Sequence, residues 1–202
     1  MILPQLTVEQ TLWRQGFQIV AGVDEVGMGP LAGPVVAAAV VFPAAATLDT
    51  LPRGVRDSKT LSAQARERLE PEIRRVAIGV GIGLVEVEEI DRINIYHAGR
   101  KAMRLALAAM PIVPEHVLID GRALLDLPYP QRAFVKGDRD IYSIAAASIV
   151  AKVYRDHLMA ELHTLYPQYG FAKHRGYGTA AHRDALRQFG PCPAHRRSFR
   201  LL

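Results

Sequence analysis

A chain of 202 residues, half of them hydrophobic, can bury a real core and amounts to one domain or one domain with a small appendage. Its single cysteine excludes an internal disulfide and fits a reducing compartment; with no basic-then-apolar leader and no run of ~18 apolar residues, a soluble cytoplasmic protein is the expectation, with no membrane partner. The formal net charge of +5 is uneven: from Lys152 onward nine Lys or Arg face three acids, which suits either a polyanion laid across the last quarter or an arginine-rich solvated face.

In chain order, residues 12–16 read as the end of a short N-terminal helix or arm. Residues 18–23 and 35–42 are short apolar runs bounded by Gly and Pro, hence buried strands. The stretch 43–55 is loop, with Pro52 and Gly54 as breakers. Ser62 is a plausible N-cap for a helix to Val76, which Pro71 should kink or split. Residues 77–87 alternate glycine with Ile, Val and Leu as a long strand. A short helix over 88–94, a longer one over 96–110, and strands at 117–119 and 132–135 follow. Residues 140–166 form the longest helical pattern, stopped by Pro167, and Thr179 caps a final helix to about Gln188. This order predicts an α/β domain with a mixed sheet flanked by helices, its first two strands antiparallel, and a basic helical C-terminal appendage.

The chemistry concentrates where apolar segments end in acids. Asp24 and Glu25 close the first strand, Asp120 follows the run 117–119, and Asp138 follows residues 134–137. Adjacent carboxylates beside buried apolar residues are costly unless a cation neutralises them. Acids converging on one sheet edge describe a site for hard divalent ions, Mg2+ or Mn2+, and two such ions roughly 4 Å apart can clamp an in-line phosphodiester displacement. Taken singly, each acid has a simpler reading: Asp120 with Gly121 is a turn pair, and Asp138 can cap the helix near Asp140. The pair Asp24 and Glu25 resists that explanation.

The loop Gly27-Met28-Gly29-Pro30-Leu31-Ala32 formally matches a dinucleotide fingerprint, but a strand-like run follows where that motif needs a helix. A loop with so little side chain lets a large substrate's backbone come close. Cys192, between Pro191 and Pro193, is read as incidental rather than as a nucleophile.

These residues resemble those of a known family, ribonuclease HII. The block Asp24-Glu25-Val26-Gly27-Met28-Gly29-Pro30 looks like its opening signature, and Asp57-Ser58-Lys59 like its Asp-Ser-Lys motif. Residues 89–95 are similar to the lead into its central helix, and Lys136-Gly137-Asp138, the segment Ser143 to Lys152 and Arg155-Asp156 to its fourth-carboxylate helix. Residues 166–179 and 195–199 resemble its C-terminal blocks, so the likeness runs from about Val20 to Phe199.

The resemblance implies an RNase H-like catalytic domain over residues 1–160, with a helical extension over 161–202 packed on it. It implies Mg2+- or Mn2+-dependent cutting of RNA in RNA–DNA hybrids, and incision 5′ of single ribonucleotides in duplex DNA. Asp24, Glu25, Asp120 and Asp138 are then catalytic metal-site residues. Gly27, Met28 and Gly29 grip the ribonucleotide junction, Tyr177 lies against the next sugar, and Ser58 and Lys59 hold a phosphate. On local sequence alone, Tyr177 reads as a packing aromatic and the Ser58-Lys59 pair as a solvated turn.

Two departures matter. Met28 stands where the family usually has Arg, which touches substrate affinity rather than metal binding. Arg139 with Asp140 follows Asp138 where small polar residues are common, and Arg139 is a candidate to restore the lost charge. A type 3 enzyme of this group carries a long N-terminal domain, for which some 17 residues before the first strand leave no room. Other readings are a related carboxylate nuclease, a metal-free histidine ribonuclease, for which none of the seven His shows a pattern, or a non-catalytic nucleic-acid-binding module. The Arg196, Arg197 and Phe199 tail either serves a partner or packs and binds phosphate. A monomer is the default, and a replication-clamp partner stays open.

Overall fold

The two apolar runs flanking the glycine loop pair as antiparallel strands. In the computed structural model, which describes residues 3–124 and 127–202, β1 (Val20–Val26) and β2 (Val35–Val41) pair from Ala21 opposite Val41 to Val26 opposite Val36. β3 (Gly79–Val85) adds antiparallel to β2, while β4 (His116–Asp120) lies parallel to β1 and β5 (Gln131–Phe134) parallel to β4. The sheet order is β3-β2-β1-β4-β5, so β1 is central. The expected mixed sheet is present.

Helices cover both faces, which is why β2 is buried at every position and shows no alternation. The flanking helices in chain order are α1 (Thr7–Arg14), α2 (Ala63–Val76), α3 (Val87–Ile93), α4 (Ile95–Ala108), α5 (Gly137–Asp140) and α6 (Tyr142–Leu165). Val36, Ala38 and Val40 share one core with Ile144, Ala147 and Ala151 of α6. Ala37, Ala39 and Val41 share the other with Ala98, Ala102 and Ala106 of α4. The glycines of β3 serve this second contact, because a Cβ at Gly81 or Gly83 would meet the carbonyls of Ala106 or Ala102 at 2.0 and 2.1 Å.

Four element boundaries or interiors differ from the sequence reading. β1 runs on to Val26, so Asp24 and Glu25 lie within the strand rather than after it. Pro71 sits inside α2 without splitting it; Glu67, whose carbonyl loses its donor, is exposed to water, while Leu69 and Ile73 anchor both halves. The long helix starts late because Ile141 is extended (φ −117°, ψ 123°) and bridges Gln5, which breaks α5 from α6. The β3 strand is shorter than the glycine pattern implied.

The C-terminal segment adds α7 (Phe171–His174) and α8 (Ala180–Phe189), the latter capped by Thr179, whose side chain accepts from the His182 amide. Tyr169, Phe171, Leu186, Cys192 and Ala194 pack on Met159 of α6 and on Leu31 and Ala32 of the glycine loop. Among the described residues, no helix is long and apolar enough to cross a membrane.

Candidate active site

Strand register brings the first two acids together. The parallel pairing of β1 with β4 reaches Val23 opposite Ile119, so Asp24 and Asp120 are the next residues on adjacent strands. Alternation sends Asp24 to the α6 face with Gly22, while Glu25 turns toward α4. There Glu25 lines a cleft of about 110 Å3 with Met28, Tyr96, Arg100, Asp120 and Arg122. Asp24 is 4% exposed, and its Oδ1 accepts from the Glu25 amide at 2.7 Å. Asp120 Oδ1 accepts from the Gly137 amide at 2.6 Å, which draws Asp138 alongside. Asp138, also buried, has its Oδ2 3.5 Å from Lys59 Nζ.

The electrostatics of this cluster are those of crowded negative charge. Burial holds the Asp24 carboxyl well above the usual range, and Glu25, Asp120 and Asp138 add to the rise. Glu25 is pushed up to about 7 by burial and then by Asp120. Burial, Asp120 and Asp57 raise Asp138. For Lys59, burial works toward a lower value, but Asp138, Asp24 and Asp57 outweigh it and the net shift is upward. Asp57, given no role from sequence, also caps the 3-10 turn Ser58–Thr60 by accepting from the Lys59 amide at 2.9 Å.

The donor set fits a hard cation by charge and by type, since every group is a carboxylate oxygen. Among the described residues, however, no three His, Cys, Asp or Glu side chains form a ready-made ion cage. The oxygens are turned to local donors instead: the Glu25 amide, the Gly137 amide and the Lys59 ammonium. Sites that bind Mg2+ through one or two carboxylates plus waters and substrate phosphates need no such cage.

Around the cluster, Ser58 corrects the solvated-turn alternative. It is buried, its amide donates to Ser148 Oγ at 3.3 Å and its carbonyl accepts from Arg66 at 2.9 Å. Lys59 is exposed. Tyr177 is 45% exposed rather than packed into the core, and its Cε1 lies 3.7 Å from where a Gly29 Cβ would stand. Met28 rests on α4, where a Cβ at Gly99 would meet its Sδ at 2.8 Å. Arg139 gives both Nε and Nη2 to Asp140 at 2.8 Å, an exposed surface pair.

The basic C-terminal quarter overstates the charge a polyanion meets. Arg155 and Arg196 are fully buried beneath the glycine loop. Burial depresses them to about 10 and about 9, so both stay charged at neutral pH. Lys152 and Arg175 pair with Asp156 at 2.6 and 3.5 Å. The tail residue Arg196 therefore packs, with Phe199 against its guanidinium at 5.2 Å.

A histidine pair also escaped the sequence, His182 Nε2 lying 3.0 Å from His195 Nε2, both rings buried beside Phe171. His182 Nδ1 must donate to the Tyr177 carbonyl at 2.9 Å, so its Nε2 accepts and His195 Nε2 donates. Burial lowers His195 to about 4, which keeps the pair neutral and structural. Cys192 Sγ, 3.2 Å from His195 Nδ1, is buried too, and burial pushes its thiol up, away from nucleophilic use.

Comparison with known proteins gives the family and agrees with the fold. A family model described as Ribonuclease HII matches residues 21–202. A ribonuclease HII of Syntrophobacter fumaroxidans is 55% identical over 197 residues, covering 98% of this chain and 83% of the relative. One of Syntrophotalea carbinolica is 50% identical over 195 residues, covering 96% and 91%. The crystal structure of ribonuclease H2 from Pyrococcus horikoshii superposes with a TM-score of 0.77 at 27% identity, covering 90% of this chain and 94% of that one. A PCNA:RNase HII complex from Archaeoglobus fulgidus gives 0.74 at 26% identity, covering 90% and 95%.

Proposed function

Because this chain belongs to the ribonuclease HII family, metal-dependent endonucleases acting on RNA–DNA hybrids, we propose that it also incises 5′ of single ribonucleotides embedded in duplex DNA. The products are 3′-hydroxyl and 5′-phosphate ends. One observation carries the reading: a buried Asp24 shares the carboxyl edge of β1 and β4 with Glu25, Asp120 and Asp138, and the Lys59 ammonium faces them. Four acids gathered beside a polyanion's path make sense only with cations between them.

Asp24, Glu25, Asp120 and Asp138 would hold two Mg2+ or Mn2+ ions, which when bound neutralise the phosphate and acidify a water. The protein's own residues do the rest. Lys59 offers an exposed ammonium to a phosphate near the cut, and buried Ser58 shapes the turn that presents it. The exposed Gly29 lets loop backbone approach a sugar, where its 2′-hydroxyl distinguishes RNA from DNA, while buried Gly27, at φ 96°, turns the loop and makes room for Arg155. Tyr177, beside Gly29, lays its ring against the neighbouring sugar. The Archaeoglobus relative is described in complex with PCNA, and a sliding clamp is the partner to test here by pull-down.

The deciding assay presents a duplex with one ribonucleotide together with Mg2+, with Mn2+, and with chelator. Metal-dependent 3′-hydroxyl ends on the 5′ side of that ribonucleotide are expected. Cyclic phosphate ends or cutting in chelator would instead indicate histidine chemistry, and binding without cutting a passive module.

A further inference from the structure

The loop that meets the sugar in this reading owes its shape to a side chain far away in sequence. Arg196 is fully buried, and backbone carbonyls rather than a carboxylate receive its hydrogen bonds. Nε donates to Gly33 O at 2.9 Å, Nη2 to Gly33 O at 2.7 Å and Pro34 O at 3.2 Å, and Nη1 to Pro30 O at 2.8 Å and Met28 O at 3.4 Å. Arg155 supports the same loop from behind, through Ala32 O at 3.1 Å and Pro34 O at 2.9 Å. Two guanidiniums buried together repel each other and lose hydration. That cost is sustained by loop carbonyls turned inward.

Turning those carbonyls inward has a directional consequence. In a trans peptide the N–H points opposite to the C=O. With the Met28 carbonyl aimed at buried Arg196, the Gly29 N–H is aimed at the outer side, where Gly29 is exposed and Tyr177 stands. Arg196 is itself anchored by Asp91, which accepts from the Arg197 and Ser198 amides at 2.9 Å each. The geometry points to Arg196 as the positioning residue that holds the Met28–Gly29 peptide with its donor facing a substrate 2′-oxygen. This rests on the substrate reading above.

The planar fork is what the role demands. A lysine keeps the charge but cannot span carbonyls on both edges of a guanidinium plane. The test compares the affinity of the full-length protein, in chelator, for a duplex containing one ribonucleotide and for the same duplex in DNA alone. In Arg196→Lys the preference for the ribonucleotide falls by about tenfold, the worth of one well-made hydrogen bond, while affinity for the DNA duplex is kept. An undiminished preference, or an equal loss on both duplexes, overturns the assignment while leaving the substrate reading intact. No preference in the unaltered protein sinks the substrate reading and this assignment with it. Should Arg196→Lys not fold, Arg196→Gln removes the buried charge while retaining two donors, and the same ratio decides.

Discussion

Lys59 Nζ stands 3.5 Å from Asp138 Oδ2, an ammonium on a 75% exposed side chain set over a carboxylate that is all but buried. The pair joins the 3-10 turn after the loop 43–55 to the start of α5, two segments with no local sequence relation. It leaves Lys59 free to turn from Asp138 to a phosphate when cations relieve the acids.

Removing that ammonium tests its second role. In Lys59→Ala, the slope of log affinity against log salt for duplex binding becomes shallower by about one, the signature of one lost phosphate contact. A titration of binding between low and moderate salt reads it directly. An unchanged slope confines Lys59 to neutralising Asp138.

Asp24→Asn separates stability from activity. It removes a buried charge that Glu25, Asp120 and Asp138 all oppose, so without metal the variant melts a few degrees higher, at roughly 2–4 °C per kcal/mol. On the proposed metal role of Asp24, cleavage falls at least about a thousandfold, because an oxygen that would hold the ion is lost. Thermal melting and a single-ribonucleotide cleavage assay check the two halves.

In the metal-free protein the carboxylate cluster costs more stability as pH rises. Glu25 ionises near its ordinary 4.5 when unfolded but at about 7 when folded, so the folded state holds the extra proton between those values. Its contribution is fully present below pH 4.5 and is lost as pH passes through 7, a drop on the order of 1–3 kcal/mol. His195, lowered by burial to about 4, works the other way as pH rises toward 6.5, so the test compares the protein with Glu25→Gln. Denaturant melts in chelator from pH 5 to 8 will show the midpoint of the unaltered protein falling relative to that of Glu25→Gln, and added Mg2+ or Mn2+ will narrow the difference. A difference that does not change with pH would refute the carboxylate crowding.

Gly22→Ala reports on the seat of α6. A Cβ there would meet Ser143 C at 2.3 Å and Ile144 N at 2.5 Å, which are helix backbone and cannot rotate away. A loss of about 1–3 kcal/mol or more is expected. Activity falls beyond what stability explains, because Asp24 lies two residues on and Asp138 just before α6. Denaturant midpoints measured beside kcat make the comparison.

The strands and helices were readable because hydrophobic spacing is local. The all-buried run of β2, the glycine alternation of β3 and the caps at Ser62 and Thr179 each speak through a few neighbouring residues. The acids at strand ends were readable for the same reason. Boundaries failed where a distant partner intervened, as when Gln5 held Ile141 extended and delayed α6.

The α/β class, the order of elements, the alternate facing of Asp24 and Glu25 and the kinship to ribonuclease HII were thus all written in local residue patterns. The fold was needed to show that Lys59 covers Asp138 and that Arg155 and Arg196 are buried struts rather than surface charge. The reason is distance along the chain: Arg196 and Gly33 are separated by 163 residues, and no local spacing says which arginine will find buried carbonyls and which will find water.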